Sequence, residues 1–174
     1  NDHFHFEFDS SPLVDAPDWG QVCYMYASTN LHDWVMISSP SWDWSSNIVQ
    51  CVDNDASQYS QRFYIIEDGI TFTCSEAYGF IKKDLNQGTY SLANPLLETN
   101  LTLGSLLSGV PDDSIVRFWG LTNWDFTAHY SSGVWDYPLI PIIPSKGFLL
   151  TVTTNASLCF IGQVVSGHTT DLGV

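Results

Sequence analysis

Apolar and polar residues alternate with a period of two over many short runs of this chain. That is the pattern of strands with one buried face. The clearest run opens the sequence: residues 1–9 read NDHFHFEFD, with Phe4, Phe6 and Phe8 on one side and His3, His5 and Glu7 on the other. Residues 10–19 (SSPLVDAPDW) hold two prolines and no period, and read as a linker. Further strands are expected at VCYMYAS, VMIS, IVQCV and RFYII within residues 20–68. Others are expected at ITFTC, AYGFIKK, TYSLANPL, SIVRFWG, FTAHY, GFLLTVT and SLCFIGQV within residues 69–174. Turns fall at Asn86-Gln-Gly88, Pro111-Asp-Asp113, Ser132-Gly133 and Pro144 to Gly147. One short helix is expected near Leu101 to Leu107.

The pattern predicts an all-β chain: an N-terminal strand (1–9), a linker (10–19), a short immunoglobulin-like module (20–68) and a second small sandwich-like or barrel-like β module (69–174). The first module is too small to close by itself. Its 49 residues hold about four strands, where an immunoglobulin sandwich uses about seven. Four strands leave an open edge and an uncovered core face, which natural proteins cover. The Phe-bearing strand at residues 1–9 is the spare part that would cover it. Burying each Phe stabilises by roughly 1.5–3 kcal/mol, against about 1–2 kcal/mol per residue for ordering the backbone. The segment is therefore ordered only where it also enters a ladder. Strand addition supplies both gains, with Tyr24, Tyr26, Ile37, Val49, Phe63 and Ile65 expected to line the acceptor groove. If the acceptor is another copy, the contact is heterologous and runs on as a ring or filament. Finding residues 1–9 loose, or tucked against their own molecule, would undo that step.

Charge narrows the partners. The chain carries 19 acidic residues against 5 Lys+Arg, a net charge of -14. Nucleic acid needs clustered cations, and so does an anionic membrane surface. The charge itself reads as a solvated, self-repelling surface. No apolar run approaches the length of a membrane helix. A first residue other than Met suggests a processed or trimmed chain, which leaves room for a removed leader, and the protein is expected outside the cell.

Candidate chemistry is sparse. Cys23, Cys51, Cys74 and Cys159 are widely spaced, with no metal-binding CxxC. Two disulfides are expected, Cys23–Cys51 and Cys74–Cys159, each within one module; four reduced thiols are the alternative. Asn100 and Asn155 open glycosylation sequons. His3, His5 and Glu7 have zinc-ligand chemistry at strand spacing, but read as the solvent face of a docked strand. His32, His129 and His168 have no nucleophile motif beside them. Asp53, Asp55, Asp112 and Asp113 sit at turns, where such residues bond their own backbone. No cofactor, metal site or enzyme activity is expected. Trp42, Trp44, Trp124 and Trp135 lie in or beside loops, where they would anchor an interface or stack on sugars.

Two stretches resemble known modules. Ala27-Ser-Thr-Asn-Leu31 with Trp34, followed by Asp53, Ala56 and Gln61-Arg-Phe-Tyr64, resembles a short fibronectin- and immunoglobulin-like module at the ends of secreted bacterial proteins. Ile65 stands where that pattern has a basic residue. Tyr78-Gly79, Ala93-Asn-Pro-Leu96, Leu103 to Asp112, Gly147-Phe148 and Phe160-Ile-Gly-Gln-Val164 resemble an uncharacterised all-β domain of secreted bacterial proteins. Ser145 and Gln163 depart from its usual Gly and Glu. The combination resembles bacterial fibril or pilus subunits built by donor-strand exchange. The resemblance implies a disulfide-stiffened homopolymer: a structural subunit of an extracellular helical filament. A monomeric carbohydrate-binding or adhesive module, with glycans as partners, is the alternative.

Overall fold

The computed structural model describes residues 4–9, 23–38, 41–43, 48–68, 76–98, 101–119, 124–143 and 146–164. The protein is all-β and sandwich-like. It divides into two compact units, Asn1–Gly79 and Phe80–Val174.

The first unit contains β1 (Phe4–Asp9), β2 (Cys23–Ser28), β3 (Val35–Ser38), β4 (Ser41–Asp43), β5 (Ile48–Asp53) and β6 (Gln61–Asp68). One sheet has the order β1-β5-β4, and a second places β2 between β6 and β3. All these pairings are antiparallel. On β2, Met25 and Ala27 are buried while Tyr24 and Tyr26 are half-buried, the alternation expected of a strand with one core face. Met25 stands opposite Ile66 and Ala27 opposite Tyr64, so these four share a face. That face turns toward β5, because the Tyr64 hydroxyl donates to Asp53 Oδ2 at 2.9 Å.

The second unit is built on β7 (Tyr78–Leu85), β8 (Gly88–Ala93), β9 (Ile115–Trp119), β10 (Trp124–Ser131), β11 (Val134–Trp135), β12 (Gly147–Val152) and β13 (Ala156–Gln163). A five-stranded sheet has the order β11-β10-β9-β12-β8, and β13 lies beside β7. On β9, β10 and β12 even-numbered residues face the core: Val116, Phe118, Ala128, Tyr130, Phe148, Leu150 and Val152 are all buried. Phe118 packs on Phe148, ring centroids 5.8 Å apart. The turn from β10 to β11 has positive φ at both Ser132 and Gly133, the primed hairpin geometry that matches strand twist.

The expected helix is one turn, α1 (Leu103–Leu106). Thr102 and Ser105 cap each other reciprocally at its start. Leu103 and Leu107 are fully buried, which fixes this turn against the core.

The strands expected from alternation are present wherever they fall within the described residues. The segment ITFTC lies outside them, as does the linker. Two short strands were not legible: β4, expected as loop, and β11. Three and two residues hold too little pattern to distinguish a strand from a turn.

Candidate functional site

The N-terminal strand is the feature with most bearing on function. β1 runs antiparallel to β5 with all six residues in register, from Phe4 opposite Asp53 to Asp9 opposite Ile48. Phe4, Phe6 and Phe8 stand opposite Asp53, Cys51 and Val49. Asp53 and Cys51 are buried. His5 and Glu7 stand opposite Val52 and Gln50, both exposed. Directly opposed residues share a face. The register thus pairs Phe4 and Phe6 with buried positions of β5, and His5 and Glu7 with exposed ones. On the far side, among the described residues, β5 pairs with the three-residue β4. Without β1, the near edge of β5 would have no ladder among the described residues.

The pairing is made within one chain. That arrangement counts against insertion into another copy.

The acceptor differs from expectation. Of the six groove residues, only Val49 lies on the strand that pairs with β1. Tyr24, Tyr26, Phe63 and Ile65 alternate with Met25, Ala27 and Tyr64, and so lie on the opposite face of their sheet. Phe63 is buried on that face, while Tyr24, Tyr26 and Ile65 are half-buried. Ile37 falls at an irregularity in the β2–β3 ladder and lines a cleft with Ala27 and Arg62.

At the end of β5 a polar cluster closes this unit. Arg62 Nε lies 2.7 Å from Asp53 Oδ2, with both side chains buried. The N–H does not point at the oxygen, so this is a charge contact more than a directed hydrogen bond. Asp53 Oδ1 accepts from the Asp55 backbone N–H at 3.0 Å, fixing the turn that leads to buried Ala56. The guanidinium of Arg62 lies 4.0 Å over the Tyr59 ring, a cation–π contact. Burial pushes the Tyr64 hydroxyl well above the usual tyrosine range, and the hydrogen bond and charge of Asp53 push it further. Beside the cluster, Asn30 Oδ1 accepts from the backbones of His32 and Asp33, and Gln61 donates to the Thr29 carbonyl. These are the residues that carried the first resemblance. The structure uses them to hold two turns and one buried ion pair.

The residues of the second resemblance act the same way. Asn94 is fully buried, and its Oδ1 accepts from Leu96 N–H at 3.1 Å. Gly79 is pressed against the Arg62 carbonyl and the Phe63 ring, and Gly162 against the Leu97 carbonyl. Pro111 and Asp112 order a turn through Ser114 and Gly133.

Other candidates disperse. No disulfide forms among the described residues. Cys159 carries a free thiol, and Cys74 lies outside the described residues. Cys23 and Cys51 belong to different sheets. Shielding of its sulfur pushes the Cys159 thiol above its ordinary value, with Lys82 opposing, so it stays protonated at neutral pH. Trp135, read from sequence as a loop residue, is buried, and its Nε1–H donates to the Leu107 carbonyl at 3.0 Å. Trp42 lies in β4 and Trp124 opens β10. His129 Nδ1 is 3.5 Å from Asp136 Oδ2 at an exposed edge. His32 and Asn155 are exposed. His3, Trp44, Asn100 and His168 lie outside the described residues. Among the described residues, no three His, Cys, Asp or Glu side chains converge to hold a metal, and no helix is long and apolar enough to cross a membrane. No family model, curated protein or solved structure matches the chain.

Proposed function

We propose that the protein is a structural subunit of an extracellular helical fibre, joined copy to copy when β1 of one molecule takes the edge of β5 in the next. The observation that carries this reading is the β1–β5 ladder: six residues, one continuous register, and an acceptor strand whose other pairing among the described residues is with the three-residue β4. An identical ladder forms whether the strand comes from the same chain or another, since only the connection differs. Residues 10–22 separate β1 from β2, thirteen residues in all. At up to about 3.3–3.6 Å each they are long enough to reach beyond their own unit.

Self-docking narrows the mechanism. A lone copy is already complete, so joining copies is an exchange that competes with the internal pairing, rather than the filling of a vacant groove. Exchange needs high local concentration or further contacts between copies. No cofactor enters the mechanism, which is backbone pairing plus apolar burial.

The test is deletion of residues 1–9. Full-length protein concentrated under native conditions forms filaments visible by electron microscopy, and the deleted chain does not. Filaments of unchanged form from the deleted chain would end the reading.

A further inference from the structure

We propose that the cleft beside β3 binds the zwitterion of an aliphatic amino acid, with its carboxylate on Arg62 and its ammonium on Asp33. This does not rest on the behaviour of β1. The cleft lies within the first unit and has a volume of about 320 Å³. Ala27, Asp33, Val35, Ile37, Tyr59 and Arg62 are among the residues that line it.

Arg62 is the residue that points to a ligand. Its side chain is only 8% exposed. A guanidinium carries five N–H donors. Here Nε faces Asp53 Oδ2, and the Tyr59 ring lies against the guanidinium plane. Among the described residues, none of the five N–H groups makes a directed hydrogen bond. A charged donor held out of water without an acceptor is costly. In the wall of a cleft, such a group marks a place for an acceptor from outside. The contact with Tyr59 holds the fork in one plane, and a planar fork takes a carboxylate through two parallel hydrogen bonds.

The rest of the cleft selects the ligand. Asp53 already shares Arg62, and Asp33 adds a second carboxylate. The whole chain carries -14. A phosphate or sulfate dianion would be repelled, whereas a zwitterion brings no net charge. Its ammonium matches Asp33. Asn30 Nδ2 donates to Asp33 Oδ2 at 2.8 Å, which orients that carboxylate and leaves Oδ1 without a hydrogen bond among the described residues. Ala27 and Val35 stand opposite each other in the β2–β3 ladder, and Ile37 follows two residues on. Together they form an apolar floor for an aliphatic side chain. Val35 is 64% exposed, so the fold itself leaves most of it uncovered.

Ligand-observed NMR titrations of the full chain with leucine, N-acetylleucine, leucinamide and N-acetylleucinamide test this. Leucine is expected to bind most tightly. Each singly blocked form is expected to bind at least about tenfold more weakly, and the doubly blocked form most weakly of all. Asp33→Asn is expected to weaken leucine binding by about tenfold and to leave N-acetylleucine unchanged. Arg62→Lys keeps a charge beside Asp53 but loses the fork, and is expected to weaken leucine and N-acetylleucine alike. Arg62 belongs to a buried pair, so the exposed Asp33 supplies the variant that decides the matter if Arg62→Lys does not fold. No leucine binding at tens of millimolar, or leucine affinity unaltered in folded Asp33→Asn, would overturn the proposal. So would any blocked form bound as tightly as leucine; for N-acetylleucinamide, that result would make the cleft a seat for a peptide strand added at β3.

Discussion

Asp53 holds three groups in the first unit: the Arg62 guanidinium, the Tyr64 hydroxyl and the Asp55 backbone. Removing its charge strands a buried Arg. Asp53→Asn is expected to destabilise by about 3–5 kcal/mol in urea unfolding, the usual cost of leaving one buried ion unpaired. Tyr64→Phe deletes a single hydrogen bond to a charged acceptor and is expected to cost about 1.5–3 kcal/mol. The two should be non-additive, because both act through one carboxylate. Tyr64 also sets an alkaline limit. Its folded pKa lies above the unfolded value, so above about pH 10 the unfolded chain releases a proton that the folded chain keeps. Stability therefore falls as pH rises past that point, and a pH series of unfolding midpoints should show a shallower fall in Tyr64→Phe.

Among the elements, Gly79 and Gly162, two glycines of the second resemblance, explain why short motifs mark this fold without marking chemistry. Gly162 sits where the Leu97 and Gln163 backbones exchange two hydrogen bonds, each 2.8 Å, with the Leu97 carbonyl in the path of any side chain. Gly162→Ala is expected to cost at least about 1–3 kcal/mol, as overpacking does, and to speed amide exchange in β13. Much of this level was legible in the sequence. Alternation placed β2, β3, β5 to β10, β12 and β13, and the Thr102–Ser105 cap agrees with the expected short helix. What was not legible was phase. Tyr24, Tyr26 and Ile65 carry the larger apolar groups, so composition favours them as the inner face. Yet the register fixed by Tyr64 and Asp53 turns Met25 and Ala27 inward instead.

For the whole molecule, the question is which copy's β5 each β1 occupies. A thirteen-residue tether presents β1 to its own edge at an effective concentration of order millimolar. Exchange between copies must match that, or gain from further contacts. A net charge of -14 opposes close approach. Assembly is therefore expected to rise with ionic strength, since about 0.15 M salt screens exposed charges beyond roughly 8 Å; light scattering across a salt series checks this.

The most direct measurement uses the register itself. Phe6 stands opposite Cys51, and directly opposed strand residues lie about 4.5–5.5 Å apart at Cα, within disulfide reach. Phe6→Cys, in a chain with Cys23, Cys74 and Cys159 changed to Ser, is oxidised after concentration and run on a non-reducing gel. Exchange predicts a ladder of covalent multimers that reducing agent collapses to monomer. A crosslinked product that is monomer alone, at every concentration, would show that the strand never leaves its own chain.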